Sequence, residues 1–265
     1  MTSPTSSFGP LLRRWRNQRR LSQQDLAAEA AISTRHLSCL ETQRAAPSRE
    51  MVLRLSEPLN LPLRERNQLL LAAGFAPHYP QRPLSTPDLS VARQAVSLVL
   101  QGHEPYPALA VDRHWHLIEG NRALTRLLAG VDAALLRQPV NVLRLSLHPQ
   151  GLGPRILNYL EWRTHLLTRL KREIHLTASP ELTDLRHELA AYPVPPGSRT
   201  YTPTGAGFPV VIPLELHTDF GRLSLFSTTT VFGTPLDVTL AELAIEAFYP
   251  ADDDTAARLR QLTAT

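Results

Sequence analysis

Apolar positions in the first quarter of the chain follow the period of amphipathic helices in five successive segments. The segments cover about residues 9–19, a stretch that Ser22 caps, a stretch that Ser33 caps, residues 47–58, and residues 64–73, which stop at Gly74. In each segment the leucine, valine or alanine side chains recur on one side of the helix. The pattern therefore predicts an all-α domain of five helices over residues 1–75.

The second and third of these helices are separated only by a tight turn. Ser22 is followed three residues later by Asp25, so the two residues are able to form a capping box at the start of the second helix. The turn Ala30-Ala31-Ile32 comes next, and Ser33 begins the third helix. Two short helices joined in this way are a common means of presenting a helix to DNA.

A proline-rich segment over residues 76–104 predicts a linker. Proline prevents regular hydrogen bonding, and four prolines fall within eleven residues here: Pro77, Pro80, Pro83 and Pro87. One amphipathic helix, over about residues 88–101, interrupts the linker. We expect a second domain over residues 105–260.

The second domain combines strand and helix patterns. Strands are predicted over 108–112, 114–119, 208–218 and 221–232. Helices are predicted over 121–128 and about 153–173, then from Ser179-Pro180, and last over about 237–248, before an acidic, frayed tail. Strands, then helices, then antiparallel strands are the order of an α+β PAS-like domain, in which helices cover a small antiparallel sheet.

Charge adds a contrast between the two domains. The chain has 265 residues and a net charge of +4. Residues 1–75 hold 11 Arg and 6 acidic residues, or +5, whereas the remainder holds 17 basic and 18 acidic residues, or −1. Attraction to a polyanion is therefore expected only in the first domain, although a merely solvated basic helix face is an alternative.

Other features of the composition predict a cytoplasmic protein with no membrane association. No apolar run is long enough for a membrane helix, and the first residues, MTSPTSSFGP, lack a signal-peptide pattern. The one cysteine, Cys39, excludes an intrachain disulfide framework.

The N-terminal pattern resembles the lambda-repressor-like (Xre family) helix-turn-helix domain over about 60 residues. The matching residues are Leu21-Ser22-Gln23, Leu26-Ala27, Ile32-Ser33, Leu37, Leu40-Glu41 and Pro47-Ser48. Two positions depart from it, because Ala31 and Gln43 stand where the family usually has glycine. A residue other than glycine at positive φ costs on the order of 1 kcal/mol, which leaves the fold unchallenged.

This resemblance implies DNA-contacting roles. Gln23 would bond a phosphate and brace the third helix, and Ser33, Thr34, Ser38 and Cys39 would lie at the major-groove side of that helix. Arg35 would be the one strong base reader, because its guanidinium is able to grip guanine in two bonds.

Further contacts to the DNA backbone are implied for His36, Arg44, Arg14 and Arg19, with simple solvation as the alternative for each arginine. Because one half-site would be read so sparsely, we expect a homodimer on a palindromic operator of double-stranded DNA.

The second domain resembles the MmyB-like ligand-binding domain of bacterial regulators. The resemblance rests on PYPALAVDRHW, NVLRLSLHPQGL, LEWRTHLLTRL, AAYPVP and TTTVFGTPLDVTLAELAIEAFYPAD, in this order. It implies a PAS-like fold, a transcription regulator, and a small apolar ligand, with a fatty acid as the candidate and no other cofactor. The alternative is a dimerisation or protein-interaction module with a solid core and no ligand.

Six residues are candidates for the ligand site. Asn141, Arg144 and His148 share one side of a helix, and an Arg with a His at the mouth of an apolar pocket would suit a carboxylate. Alternatively, Arg144 and His148 cap helices or bond loop carbonyls. Aromatic residues that would line a lipid tunnel, or else belong to the core, are Tyr159, Trp162 and Phe226.

An enzymatic function has no motif behind it. The chain lacks a Gly-x-Ser-x-Gly elbow, a Walker loop and a dinucleotide fingerprint, and His187-Glu188 lacks the second histidine of a zinc protease. His114 and His116 alternate along a predicted strand, but two histidines without a cysteine make a weak metal site. We therefore expect no enzyme and no metal.

Overall fold

The N-terminal helices surround a core of leucine and Trp15. A computed structural model describes residues 7–198 and 211–264 of the chain, without the side chains of residues 263 and 264. The helices are α1 (Phe8–Gln18), α2 (Gln23–Glu29), α3 (Thr34–Glu41), α4 (Arg49–Ser56) and α5 (Leu63–Ala72). Trp15, Leu26, Leu37 and Leu55 are fully buried between them, which confirms the predicted five-helix domain.

Serine side chains begin three of these helices. Ser22, Ser33 and Ser48 each accept a hydrogen bond from a backbone amide three residues later, and at Ser22 the capping box with Asp25 is complete. These bonds satisfy amides that a helix leaves unpaired at its first turn.

Two turns adopt the left-handed backbone conformation at the positions where the resembled family usually has glycine. Ala31 has a φ of 52° between α2 and α3, and Gln43 has a φ of 61° after α3. The Ile32 amide donates to the Ala27 carbonyl at 2.9 Å, which closes the first of these turns. The helix-turn-helix geometry is thus reached without glycine.

The second part of the chain is built on one antiparallel sheet. Its strands are β1 (Ala108–Val111), β2 (Leu117–Gly120), β3 (Leu214–Thr218), β4 (Gly221–Val231) and β5 (Ala244–Pro250). They lie in the order β2-β1-β5-β4-β3, and each neighbouring pair is antiparallel. The predicted α+β PAS-like fold class is therefore confirmed.

Seven helices accompany the sheet strands along the chain in the described residues. They are α6 (Ser90–Gly102), α7 (Arg122–Leu127), α8 (Val142–Leu147), α9 (Tyr159–Thr177), α10 (Pro180–Ala191), α11 (Val238–Ala241) and α12 (Asp253–Ala264). The largest core cluster joins one face of the sheet to α7, α8, α9, α10 and α12 through residues such as Leu216, Tyr159 and Leu259. Tyr159, Leu170 and Leu216 are completely buried in it.

The chain divides into two compact units. The first holds the chain through Arg82 together with His175–Ala178 and Pro235–Ala241, and the second holds Pro83–Ile174, Ser179–Thr234 and the residues from Glu242 onward. The domain limits expected at residues 75 and 105 remain predictions.

The last predicted helix, over 237–248, is wrong. The segment holds only the one-turn α11, and then becomes β5, the central strand, which pairs with β1 and β4. The segment has no clear two-residue alternation, and the hydrogen bonds that β1 and β4 supply on both sides decide its conformation. The tail is not frayed either, because α12 buries Leu259 and Leu262 in the main core.

Two other predicted boundaries shift for local reasons. β2 begins only at Leu117, because Asp112 accepts bonds from the amides of His114 and His116 and forms a turn. The helix expected from residue 153 begins at Tyr159, after Ile156 has formed a bridge with Leu216. Residues 208–210 of the predicted 208–218 strand lie outside the described residues, and β3 begins at Leu214.

Candidate DNA interface and ligand cavity

Helix α3 presents a polar face opposite its buried leucines. Thr34 and Arg35 are exposed and Ser38 and Cys39 are half-buried, whereas Leu37 and Leu40 are completely buried. Ser33 begins the helix by accepting a bond from the His36 amide at 3.1 Å. The structure therefore gathers Thr34, Arg35, Ser38 and Cys39 on the side of the helix that the core does not use.

Glu41, at the end of α3, is the centre of a buried ion-pair cluster that sequence reasoning did not identify. Arg16 Nε donates to Glu41 Oε1 at 2.6 Å, and Arg16 Nη2 donates to Oε2 at 3.0 Å. Gln23 Nε2 donates to the same Oε2 at 2.8 Å. The cluster ties α1 and α2 to the C-terminal end of α3, and so fixes the orientation of that helix.

Electrostatics favours the charged form of this pair. Burial alone would raise the pKa of Glu41, but the hydrogen bonds from Arg16 and Gln23 outweigh it and lower the pKa below its ordinary value. The hydrogen bond to Glu41 raises the pKa of Arg16. Because one N–H of the Gln23 side-chain amide donates to Glu41, a phosphate contact by Gln23 needs the second N–H.

The arginines near α1 divide into two groups. Arg13, Arg14 and Arg20 are exposed, as is Arg44 after α3. Arg16 is buried and forms an ion pair with Glu41, which compensates its charge.

Arg19 is half-buried, and its location corrects the backbone contact expected from the resemblance. Its Nε donates to the Leu59 carbonyl at 2.8 Å, and its guanidinium lies 5.3 Å from the Trp15 ring centre. Because the guanidinium bonds the bundle itself, Arg19 stabilises the fold and is not presented to a phosphate in this arrangement. Burial lowers its pKa.

The α+β unit encloses an apolar cavity between the sheet and its covering helices. The cavity volume is about 80 Å³. Leucines from β1, α7, α8, α9, β3 and β4 supply most of the wall, with Trp115, Trp162 and Phe248. The polar lining residues are Ser146, His165, Arg169, Ser227 and Glu246.

Arg169 on α9 binds two carboxylates at this wall. Its Nη1 and Nη2 donate to the two oxygens of Glu246 on β5, at 3.0 and 2.6 Å. Its Nε lies 3.4 Å from Glu173 Oε1, and Glu173 Oε2 accepts a bond from the Trp115 indole at 2.8 Å. The guanidinium also lies 4.4 Å from the Trp115 ring centre.

The same face of α9 carries Trp162 and His165, seven and four residues before Arg169 and so within two turns. Trp162 stacks on His165 with ring centres 5.3 Å apart, and its indole donates to Ser146 Oγ at 2.9 Å. Burial, followed by the charges of Arg169 and Arg172, lowers the pKa of His165 below its ordinary value. His165 is therefore neutral at neutral pH.

The structure does not place the predicted headgroup residues at this cavity. Arg144 Nε and Nη2 donate to the carboxylate of Glu188 at 2.8 and 2.7 Å, and Tyr192 bonds the same carboxylate. His148 Nδ1 accepts a bond from the Gln150 amide, and Asn141 caps α8. Asn141 and His148 thus serve local backbone structure, and Arg144 forms an ion pair that neither the headgroup role nor its alternative included.

Of the three aromatic candidates, only Trp162 lines the cavity. Tyr159 is completely buried and donates its hydroxyl to the Leu147 carbonyl at 3.1 Å, so it belongs to the core. Phe226 stacks on Tyr249 with ring centres 5.4 Å apart.

Sequence reasoning missed the polar wall for identifiable reasons. The spacing of Trp162, His165 and Arg169 along one helix was a visible signal. Glu246 gave none, because its segment was predicted as a helix, and its contact with Arg169 spans 77 residues of sequence.

Metal and membrane association find no support in the residues that the structure describes. His114 and His116 line a shallow depression with Asn141, Arg144 and Glu181. Over residues 7–198 and 211–264, no group of three or more His, Cys, Asp or Glu side chains is placed to hold a metal ion. No helix of this part of the chain is long and apolar enough to cross a bilayer.

Comparison with known proteins adds the family. A model of a helix-turn-helix domain matches residues 7–69, and a model of the MmyB-like transcription regulator ligand binding domain matches residues 92–262. No curated protein matches the chain. A solved structure described as that of an RNA-binding light-oxygen-voltage receptor is 13% identical, with a TM-score of 0.27 over 97% of this chain and 62% of the receptor chain, and that likeness carries no argument.

The match to the ligand-binding family covers more than half of the chain, and the matched residues contain the whole antiparallel sheet and the cavity. The helix-turn-helix match contains α3 with its exposed Arg35. The chain therefore belongs to the family of transcription regulators that have an MmyB-like ligand-binding domain, here preceded by a helix-turn-helix DNA-binding domain.

Proposed function

We propose that this DNA-binding transcription regulator is a cytoplasmic homodimer that recognises a palindromic operator and responds to a small apolar ligand of the fatty-acid type. The observation that carries the proposal is the pairing of an exposed α3 face with a leucine-lined cavity in the same chain. We propose no enzymatic activity, because both matched families are regulator domains.

Recognition of DNA would rest on Arg35. Its exposed guanidinium suits a bidentate bond to guanine, and Thr34 beside it suits a thymine methyl group. Ser38 and Cys39 are short and half-buried, so they add little discrimination. The exposed Arg14 and Arg44 would neutralise phosphates, and this part of the affinity would fall steeply with salt.

Dimerisation would supply the specificity that one reading helix lacks. Helix α6 has three apolar side chains in solvent: Val91 is 74% exposed, Leu98 67% and Val99 49%. Residues seven and eight positions apart lie on the same side of a helix. This apolar stripe is a suitable surface for a second copy of the chain.

Ligand control would come from the small size of the cavity. Pockets for small molecules commonly measure about 300–1,000 Å³, several times the 80 Å³ found here. An acyl chain would therefore enter only if lining side chains moved. Because a ligand shifts an equilibrium only by its different affinity for two arrangements, this movement would couple binding to the regulator's output.

Two measurements on protein purified without delipidation test the proposal. The first is footprinting on genomic fragments, which should reveal a protected palindrome. The second is extraction followed by mass spectrometry, which should release one class of small apolar molecule. Uniform protection of all DNA would contradict operator recognition.

A second function is favoured by the same small cavity. If the cavity is too small to take any ligand, the large domain serves only dimerisation or protein interaction. Repeated extracts from different hosts will then contain no bound small molecule. Fatty acids will then also produce no shift in the melting temperature. A reproducible extracted molecule would exclude this alternative.

A further inference from the structure

Arg169 is the one Lys or Arg among the described residues that line the cavity. Each of its guanidinium nitrogens already contacts a carboxylate oxygen of Glu246 or Glu173, and Nη2 also donates to Thr229 Oγ1 at 3.0 Å. The Glu246 side chain is 5% exposed, so this pairing is shielded from water.

Together, two carboxylates and one guanidinium carry no net positive charge. A ligand carboxylate that leaves water must find a cation, because an unpaired buried charge is costly. Arg169 would serve only by releasing Glu246, and Glu246 would then be the unpaired buried charge. The wall thus opposes an anionic ligand.

The remaining polar groups of the wall are neutral hydrogen-bonding groups. Ser146 accepts from the Trp162 indole, which leaves its own hydroxyl proton to donate. Ser227 brings a second hydroxyl from β4, and the imidazole of His165 brings one donor and one acceptor in its neutral form. Such groups suit an alcohol or an amide, which both donate and accept.

We propose that the cavity takes an apolar molecule whose polar end is uncharged, such as a long-chain alcohol or primary amide, in preference to a free fatty acid. This inference rests on the proposed ligand-binding function. It narrows the fatty-acid-like ligand to one in which the acyl chain is kept and the carboxylate is replaced.

Calorimetric titration of delipidated full-length protein tests the preference. The probes are octanol against octanoate and dodecanol against dodecanoate, which differ only in the charge of the head group. At neutral pH the alcohol should bind at least about tenfold more tightly than the matching carboxylate. The carboxylate leaves water without finding a cation in the wall, because Arg169 is already paired. The ratio should shrink as the pH approaches the pKa of the alkanoate.

Two variants make the test specific to the wall. Glu246→Gln removes one of the two anions, so alkanoate affinity should rise about tenfold while alcohol affinity stays unchanged. Asp184→Asn, at an exposed position on α10, is the control with the same charge change and should alter neither affinity.

Ser227→Ala removes a neutral hydrogen-bonding partner of the polar end, and should weaken the alcohol about fivefold. If circular dichroism shows that Glu246→Gln does not fold, two measurements still test the preference. They are the ratio of alcohol to alkanoate affinity in the wild-type protein and the loss of alcohol affinity in Ser227→Ala.

The outcomes separate the two levels of the proposal. An alkanoate that binds the wild-type protein as tightly as its alcohol, or more tightly, overturns the uncharged head group and leaves ligand sensing intact. Failure of every probe of either kind to bind overturns ligand sensing, and the head-group preference with it.

Discussion

Arg16 and Glu41 lie against each other inside the helical domain, joined by two hydrogen bonds of 2.6 and 3.0 Å between residues 25 apart in sequence. Their side chains are 10% and 2% exposed. The pair holds α1 to the end of α3, so it connects the stability of the domain with the position of the helix that carries Arg35.

Glu41→Ala should reduce the free energy of unfolding by about 3 kcal/mol, because it leaves the buried Arg16 without its carboxylate. Urea denaturation followed by circular dichroism measures the loss. Glu50→Ala is the matched control, since the Glu50–Arg54 pair is exposed and worth less than about 1 kcal/mol. Equal losses in the two variants would show that the Arg16–Glu41 pair has no special role.

The same carboxylate gives a direction to the pH dependence. The pKa of Glu41 is lower in the folded protein than its ordinary value, so the unfolded state binds the proton more readily. Its contribution to stability is therefore complete above about pH 4.5 and is lost as the pH falls through the lower, folded pKa. Denaturant titrations from neutral to acid pH should show this loss in the wild type and a flatter curve in Glu41→Gln.

Arg35→Ala should remove about 1–3 kcal/mol of discrimination at one base pair of each half-site. Fluorescence anisotropy with the operator and single-base variants measures it. Arg44→Ala is the comparison, because loss of a phosphate contact should weaken all sequences alike and reduce the salt slope by about one. If Arg35→Ala weakens every sequence equally, Arg35 is a phosphate contact.

Leu98→Asp should convert the dimer to a monomer, because it places a charge in the apolar stripe of α6. Sedimentation velocity gives the oligomeric state, and the operator affinity should fall with it. Arg93→Gln changes the net charge by the same amount at an exposed position of this helix outside the stripe, and serves as the control. A dimer that survives Leu98→Asp would place the interface elsewhere.

Arg144→Met should leave the affinity for the extracted ligand within about twofold, since Arg144 is bound to Glu188 outside the cavity lining. Its cost in stability should be below about 1 kcal/mol, because both partners are more than a third exposed. Trp162→Ala, which alters the cavity wall itself, is the positive comparison. A tenfold loss of affinity in Arg144→Met would return Arg144 to the ligand site.

The sequence by itself determined what depends on near neighbours along the chain. The serine caps of α2 and α3, and the leucine positions of α3, were predicted because a cap and a helix face involve residues within a few positions of each other. The positive φ at Ala31 and Gln43 also followed from single positions, because both residues stand where the resembled family usually has glycine.

Only the tertiary structure decided which distant residues meet. The segment of β5 becomes a strand because β1 and β4 supply its hydrogen bonds on both sides, which overrides its helical pattern. Arg169 meets Glu246 through that strand, and Arg144 turns to Glu188 and away from the cavity. A charged side chain takes the partner that the fold brings within reach, and no local pattern carries that information.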